Sequence, residues 1–414
     1  MYSTSKKLTL FILLFVAFID WMGIGLVYPM FSSMLFHSDV YLVSPETTAA
    51  IRGFWLGILL SLMPLAQFFS SPIIGTLSDQ KGRKPLLKIS LIFGVFGYII
   101  AMAAVYLESL SLMFVSRIVL GVSAGSAAVV GAALADLSLP EEKAKNFGLL
   151  NMACGIGFTV GPFLGGKLSQ ESFFGAGGYD KPFLFAGVIT LFNLLLLLYF
   201  FKETHHLRRE VSLSFAQGLR NLKKAFKLPG IRVLFLSVFI FCFGWSFYWE
   251  FIPVTWIEDY NMSVSEVGDL FAYSAAFYAL GCGLLIRPIA NRVRPPAILF
   301  FSLVLVGLYI FILLSHPEKN LLWGYIPLQQ FLIALLFPTA AAMVSNYVKE
   351  DAQGEMMGIL QSVESGAVAF SPFLSGVFVG MNYDMPIIVG GSAMLLAALV
   401  LGIGIPKQIL KWRL

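Results

Sequence analysis

The sequence predicts an all-α, polytopic membrane protein that crosses the bilayer twelve times. Its mean hydropathy is +0.83 and only 12% of its 414 residues are charged, about half the share found in a soluble domain. Apolar stretches of about twenty residues, the length that crosses a bilayer core, recur along the whole chain. Because lipid offers backbone groups no hydrogen bonds, each stretch is best satisfied as a spanning helix.

We number the predicted stretches as spans 1 to 12. The first follows Lys6 and Lys7 and is longer than a signal peptide, without a small-residue cleavage site, so we interpret it as a retained helix. The spans are predicted at 8–34, 52–74, 86–107, 111–135, 147–168, 183–201, 231–257, 266–286, 297–315, 322–348, 354–379 and 385–405.

The positive charges indicate which ends of the spans face the cytoplasm. Of the 28 Lys and Arg residues, only Arg52, Lys167, Lys181 and Lys319 fall in odd-numbered connections, and Arg117 lies inside span 4. The others lie in the termini and the even-numbered connections, which predicts that both termini are cytoplasmic. This topology accounts for the net charge of +5, so we expect no nucleic-acid partner.

The sequence lacks the motifs of an enzyme. It has no Walker loop, no clustered Cys and His ligands and no nucleophile–base spacing. Cys154, Cys242 and Cys282 lie inside apolar spans and predict no disulfide framework. We therefore expect no catalytic residues, no cofactor, no metal site and no ATP-driven transport.

The longest polar stretch, 202–230, divides the spans six and six. We predict an N-terminal six-helix bundle at 1–201, a cytoplasmic linker at 202–230 and a C-terminal six-helix bundle at 231–414. The linker stretch "SLSFAQGLRNLKKAFKLPG" has apolar residues at helical spacing opposite a basic face. This pattern is typical of an amphipathic helix on an anionic membrane surface, and a solvated linker helix fits it equally well.

The two halves resemble each other, which indicates two pseudo-symmetric bundles. "NFGLLNMACGIGFTVGPFLGG" at 146–166 aligns with "EMMGILQSVESGAVAFSPFLSG" at 355–376. Identical residues recur 210 positions apart, at Gly148 and Gly358, Pro162 and Pro372, and Gly166 and Gly376. A duplicated unit with a substrate site between the repeats near the bilayer midplane is typical of secondary transporters.

Four motifs resemble those of the major facilitator superfamily. They are "FIDWMGIGLVYP" at 18–29, "GTLSDQKGRKPLL" at 75–87, "RIVLGVSAGSAAVVGAALAD" at 117–136 and "GIGFTVGPFLGG" at 155–166. The chain is most similar to the tetracycline-exporter branch of the twelve-helix drug/proton antiporter group. The resemblance implies the major facilitator fold and proton-coupled efflux of a small hydrophobic or amphipathic compound by alternating access. It also implies a monomer in the bacterial inner (plasma) membrane.

The motif between spans 2 and 3 crowds charges into a cytoplasmic turn. We expect Gly75 and Gly82 to permit a tight turn and close helix approach, and Arg83 to bridge Asp79 and Asp136. Asp79 is also expected near the N-terminal end of span 11, where the helix dipole favours an anion. The resemblance implies that this cluster is a cytoplasmic gate that latches the two halves together and breaks when the cytoplasmic side opens.

Four ionisable residues lie at helix-centre depth in predicted spans, where charges cost enough free energy to indicate function. They are Asp20, Arg117, Glu250 and Glu364. We expect Asp20 to carry protons, with Arg117 as its partner cation; a static pair that joins spans 1 and 4 is the alternative. Glu250 and Glu364 are candidate proton sites or counter-charges for the compound.

Neighbours of these charges are the candidate substrate-cavity residues. Trp21 follows Asp20, Tyr248 and Trp249 precede Glu250, and Gln361 lies one turn before Glu364. Aromatic rings stack on flat or cationic compounds, although several aromatic residues around Glu250 are equally explained by packing or by contact with lipid.

Span 5 carries the helix-packing antiporter motif of the resemblance. Its members are Gly157, Gly161, Pro162, Gly165 and Gly166. Such small residues let a helix approach its neighbour closely, and with Gly155 we expect them to form one packing face. Family resemblance links this motif to exchange rather than to uptake.

Two departures limit the expected function. The tetracycline exporters place acids in spans 3 and 9, but 86–107 and 297–315 contain none, which argues against a tetracycline–metal chelate. An endogenous metabolite or a siderophore remains an alternative cargo, and so does proton-coupled import by symport.

Overall fold

The computed structural model describes residues 2–36, 42–138, 140–169, 178–204, 217–285, 288–289, 291–347 and 353–404. Every regular element in these ranges is helical. Eleven segments are long and apolar enough to cross a membrane, and they match predicted spans 1 to 7 and 9 to 12. At the position of span 8 lies the helix Val264–Leu284, which carries Glu266 and Asp269 in its first two turns. The chain is therefore an all-α, multi-pass protein.

The helices begin and end within a few residues of most predicted span limits. Those of spans 1 to 6 are Tyr2–Phe36, Ala49–Lys81, Arg83–Tyr106, Leu110–Ala124 with Ser126–Leu137, Pro140–Leu168 and Asp180–Phe200. The linker contains the helix Gln217–Lys227. Those of spans 7 to 12 are Arg232–Trp249 with Ile252–Glu258, Val264–Leu284, Pro295–Phe311 with the 3₁₀ turn Ile312–Ser315, Lys319–Ile333 with Leu336–Tyr347, Gln353–Val379 and Met385–Gly404.

The helix interruptions of spans 4 and 10 follow the internal repeat. Span 4 is interrupted at Gly125, and span 10 is interrupted at Ala334 and Leu335, about 210 residues later. At Gly125 a Cβ would overlap the side chains of Ile74 and Ser70, so this glycine admits a close approach of span 2. Because equivalent helices break at equivalent places, the repeat extends from sequence to backbone structure.

The chain folds into two compact units. Unit 1 comprises Met1–Glu46, Leu62–Gln217 and Ser263–Asp269, and unit 2 comprises Thr47–Ser61, Gly218–Met262 and Leu270–Leu414. In unit 1, span 1 packs on spans 5 and 6, and span 3 on spans 4 and 6; in unit 2, span 7 packs on spans 11 and 12, and span 9 on spans 10 and 12. The predicted bundle limits at 201 and 231 stay a prediction.

Each unit includes the first turns of one helix from the other half of the sequence. In unit 1, Gly268 at the start of span 8 lies against the carbonyl oxygen of Pro162 in span 5. In unit 2, Gly57 near the start of span 2 lies against the carbonyl oxygen of Pro372 in span 11. These two contacts are equivalent under the internal repeat, which supports the duplication that the sequence predicts.

The glycine stripe of span 5 holds that helix against span 1. Gly157, Gly161 and Gly165 lie so close to the backbone of span 1 that a Cβ on any of them would overlap a carbonyl oxygen. Those carbonyls belong to Phe18, Met22 and Leu26. Gly166 faces the start of span 8 instead. No atom of the described residues lies within 4 Å of a Cβ placed on Gly155, so the expectation that Gly155 belongs to the packing face is wrong.

This difference between neighbouring glycines gives a stability prediction. We expect Gly161→Ala to lower the free energy of unfolding by about 1–3 kcal/mol, because the new methyl group must push two helix backbones apart. Thermal unfolding of the purified protein in detergent measures the effect. Gly155→Ala is the matched control and should unfold at or slightly above the wild-type temperature, since alanine favours helix where space allows. Equal losses in both variants would contradict the packing role.

Candidate functional site

Asp20 lies in span 1 and is partly buried. Its Oδ2 accepts a hydrogen bond of 2.7 Å from the hydroxyl of Ser126, the first residue of the second helix of span 4. The sequence analysis missed Ser126, because a serine in an apolar span is usually satisfied by its own helix. A single neutral donor leaves the carboxylate able to gain and lose a proton without breaking a salt bridge.

Arg117 lies apart from Asp20, so the predicted pair is not formed. Arg117 is 3% exposed, and its guanidinium group lies over the ring of Phe31, 5.2 Å from the ring centroid, a cation–π geometry. The physical reason is position along span 4: Ser126, which donates the hydrogen bond to Asp20, lies nine residues from Arg117, about 13 Å at helical rise.

Tyr98 of span 3 packs beside the same stretch of span 1. Its ring is buried, and its hydroxyl lies against Gly23, one turn after Asp20. A Cβ at residue 23 would overlap that hydroxyl. The glycines of the span 1 motif indicate that a neighbouring side chain packs closely there. The sequence does not indicate that this side chain is Tyr98.

Glu364 lies in the middle of span 11 and is partly buried. Among the described residues its carboxylate has neither a hydrogen-bond partner nor a cation within salt-bridge distance. Cys242 of span 7 and Tyr278 of span 8 lie close enough to interact electrostatically with this carboxylate. Gln361, one turn before it, is exposed and donates a hydrogen bond of 3.2 Å to Ser365. Glu364 is thus held less tightly than Asp20.

Glu250 lies where the helix of span 7 is interrupted. It is 5% exposed, and its Oε1 accepts a hydrogen bond of 2.6 Å from Ser246. The preceding aromatic residues are packed inside unit 2: Tyr248 donates a hydrogen bond of 2.9 Å to Gln329, and the ring of Trp249 lies 4.7 Å from that of Phe271. Both rings are buried. In this arrangement they contact protein.

Trp21 differs from those aromatic residues because 41% of it is exposed. Its ring meets Phe158 of span 5 edge-on, with 6.1 Å between the ring centroids. It follows Asp20 directly in the sequence. Of the three predicted cavity aromatics, Trp21 is therefore the one that is exposed.

Arg83 pairs with Asp79 and Asp136, as the sequence predicts, and so joins the ends of spans 2, 3 and 4. Its Nε donates to Asp136 Oδ2 at 3.0 Å, and its Nη1 donates to both Asp79 and Ser78. The arginine is 4% exposed. All four residues belong to unit 1, so the observed contacts tie spans 2, 3 and 4 together within that unit. The predicted approach of Asp79 to the N-terminal end of span 11 stays a prediction.

Glu203, just after span 6, completes this cluster and was missed in the sequence analysis. Its two carboxylate oxygens accept hydrogen bonds from the backbone N–H groups of Arg83 and Lys84, at 2.8 and 3.1 Å. These are unsatisfied donors at the start of the span 3 helix, where an anion is favourable. We call Ser78, Asp79, Arg83, Asp136 and Glu203 the Arg83 cluster.

The two glycines of the motif have different positions. Gly82 alone separates the helices of spans 2 and 3, and its φ of 100° lies in the region that favours glycine. Gly75 is inside the span 2 helix, and a Cβ there would lie 3.5 Å from Ala128, an ordinary contact. The expectation that Gly75 belongs to the turn is wrong, because the helix continues to Lys81.

The linker helix Gln217–Lys227 lies against span 11. Asn221 donates a hydrogen bond of 3.0 Å to Ser362, and Leu222 packs on Gly366. Phe226 meets Phe239 of span 7 edge-on, with 5.8 Å between the ring centroids. Its apolar side is thus partly covered by protein. The sequence left a membrane-surface helix and a solvated linker helix as alternatives. One face of this helix contacts Ser362 and Gly366, each of which is two residues from Glu364 in the sequence.

Comparison with known proteins agrees with these features. A family model described as Major Facilitator Superfamily matches residues 10–241 and 234–408. The class C tetracycline resistance protein of Escherichia coli is 29% identical over 366 residues, 86% of each chain. The quinolone resistance protein NorA of Staphylococcus aureus is 27% identical over 385 residues, 91% of this chain and 90% of NorA.

A solved structure extends the comparison to the fold. The crystal structure of the human organic anion transporter MFSD10 (TETRAN) superposes with a TM-score of 0.70 at 20% identity. The match covers 96% of this chain and 99% of MFSD10. With the family match over both halves, the spans and the repeated contacts have one explanation: the chain belongs to the Major Facilitator Superfamily.

Proposed function

We propose that this chain exports a small hydrophobic or amphipathic compound in exchange for protons. Two partly buried carboxylates carry the proposal: Asp20 in span 1 and Glu364 in span 11, neither of them in a salt bridge. Similarity to a tetracycline and a quinolone resistance protein supports export. We propose that the chain works as a monomer in a bacterial inner (plasma) membrane with both termini in the cytoplasm.

Asp20 and Glu364 are the proposed proton carriers of an alternating-access cycle. Protonation from outside shifts the chain to the conformation that releases the compound. Deprotonation towards the cytoplasm returns the chain to the conformation that admits the next molecule. Arg117 and Glu250, both nearly fully buried, are proposed to set the electrostatic field in which these carboxylates titrate.

The proposed compound contacts follow from exposure. Trp21 and Gln361 have exposed surface beside the two carriers, so we propose that they contact the compound directly. Tyr248 and Trp249 remain proposed cavity residues, and for them to contact the compound span 7 must repack at its interruption. No described acid lies inside the helices of spans 3 and 9, which favours a compound that binds without a metal ion.

The Arg83 cluster is proposed as the cytoplasmic gate, with Gly82 as the flexible point between spans 2 and 3. Asp79, Arg83 and Asp136 form the ion pairs that would have to break or shift when the cytoplasmic ends of the spans move. Exchange rather than uptake is the proposed consequence of the tight packing of span 5, which leaves no leak between spans 1 and 5.

Proton flux in liposomes tests the proposed function. Purified protein is reconstituted with a pH-sensitive dye inside, a proton gradient is imposed, and a tetracycline or a quinolone is added. We expect compound-dependent collapse of the gradient, with protons and compound moving in opposite directions. Protein-free liposomes are the control. Movement of protons and compound in the same direction would instead establish symport, the alternative.

A further inference from the structure

Three connections of unit 2 meet at a cavity of about 430 Å³. Asp259 follows span 7, His316 lies between spans 9 and 10, and Asp384 comes directly before the helix of span 12. All three connections are odd-numbered, so the predicted topology places them on the non-cytoplasmic side. The sequence analysis expected no metal site, because these residues are far apart in the chain and no spacing relates them.

The side chains present their polar atoms to one another. One donor atom from each residue lies within 4.8 Å of the other two, and His316 Nε2 lies 3.7 Å from Asp384 Oδ1. That Oδ1 has no exposed area and accepts no hydrogen bond within the described part of the chain. A desolvated carboxylate oxygen without a hydrogen bond is costly, so the arrangement calls for a further positive group.

The electrostatics lead to the same conclusion. Asp259 is exposed, and its carboxylate shares the cavity with that of Asp384. Two carboxylates that share a pocket repel each other when both are ionised. A bound cation would remove that repulsion.

We propose that Asp259, His316 and Asp384 form a binding site for a divalent transition-metal ion of the Zn²⁺ class. Two carboxylate oxygens and one imidazole nitrogen are ligands that Zn²⁺ takes, with a fourth position left for water. Mg²⁺ and Ca²⁺ prefer oxygen ligands only, and Mn²⁺ binds such sites more weakly than Zn²⁺. The preference over Mg²⁺ and Ca²⁺ follows from the histidine, whereas the preference over Mn²⁺ follows from the general affinity order of divalent metal ions.

The site is able to close around an ion. Ligand atoms about 2.0–2.2 Å from a tetrahedral Zn²⁺ lie about 3.3–3.6 Å from one another, so the three side chains must draw together by at most about 1.5 Å. His316 is 52% exposed and Asp384 27% exposed, which leaves them room for rotation. A bound ion would join three connections of unit 2. The proposal does not depend on the transported compound.

Calorimetric titration of Zn²⁺ into the purified full-length protein tests this site. The protein carries no polyhistidine tag and is stripped with a chelator beforehand. We expect one Zn²⁺ per chain, with an excess of Mg²⁺ unable to displace it. Asp384→Asn and His316→Ala should each weaken binding by about tenfold or more, since loss of even an outer-shell partner has effects of that size. Mn²⁺ should bind more weakly, with a broadened EPR spectrum that sharpens on addition of Zn²⁺.

Glu318→Gln is the matched control, because it removes one negative charge two residues from His316 without removing a proposed ligand. Its affinity for Zn²⁺ should equal that of the wild type. Equal weakening in Glu318→Gln and Asp384→Asn would show only a diffuse negative surface and would overturn the proposal. Absence of stoichiometric binding to the wild type would do the same, and so would an unchanged affinity in both ligand variants. Elution as a single monodisperse peak confirms that each variant is folded.

Discussion

We expect Asp20→Asn and Glu364→Gln each to reduce compound-driven proton flux to the level of protein-free liposomes. Each amide keeps the size of the side chain that it replaces, and asparagine at position 20 can still accept the hydrogen bond from Ser126. Folding and compound binding should therefore persist. An amide cannot take up or release a proton at physiological pH, so the coupled step is lost. Luminal pH in liposomes and equilibrium compound binding are measured on the same preparations.

The control for these two variants is Glu46→Gln, which removes an exposed carboxylate from the first connection. It should keep the flux of the wild type. Loss of binding together with flux in Asp20→Asn or Glu364→Gln would identify that carboxylate as a compound contact. Retention of both would make it a structural group. Either result contradicts the role of proton carrier, and the two positions are judged separately.

The sequence predicts those features that depend on local pattern. Hydropathy locates the spans, because the bilayer imposes a length and requires internal backbone pairing. The stripe of Gly157, Gly161 and Gly165 predicts close packing because a four-residue spacing aligns these positions on one helix face. Arg83 and Asp79 are four residues apart, so their ion pair is also nearly local. Asp136, the other partner of Arg83, lies in a different motif, so this second ion pair depends on how the two motifs come together.

The features that the sequence does not predict depend on depth or on distant chain segments. Asp20 bonds Ser126 rather than Arg117, because the position of a side chain along span 4 decides which residue of span 1 it meets. Glu203 lies 120 residues from the backbone that it caps, and no local pattern relates the two. An amphipathic pattern is expected for the linker helix whether its apolar face meets lipid or protein. Periodicity therefore does not predict its contact with Ser362.

Arg83→Ala should have the second large effect, on stability as well as transport. It leaves the carboxylates of Asp79 and Asp136 without their shared cation. Breaking a buried ion pair costs about 3–5 kcal/mol. We expect a loss near the lower limit, about 3 kcal/mol, because the side chains of Asp79 and Asp136 are 41% and 25% exposed. Thermal unfolding in detergent measures the loss, and the liposome assay measures transport.

Two variants separate geometry from charge in this effect. Arg83→Lys keeps the charge but not the planar fork, so a single ammonium group must replace donors that reach Asp136, Asp79 and Ser78. We expect partial recovery of stability. Lys81→Ala removes an exposed cation from the same connection and should unfold like the wild type. A loss in Lys81→Ala as large as in Arg83→Ala would mean that only the net charge of the connection matters.

A double-mutant cycle of Arg83→Ala with Asp136→Asn then tests whether the pair acts as a unit. Residues in one ion-pair network couple by about 0.5–3 kcal/mol, so the double variant should lose less stability than the two single losses together. Additive losses would contradict the coupling that the geometry indicates. Because the contacts of the Arg83 cluster described here lie within unit 1, they stabilise that unit whether or not the gate exists. A gating role requires more: Arg83→Lys should recover stability while transport stays slow, since a gate must re-form the same contacts in every cycle.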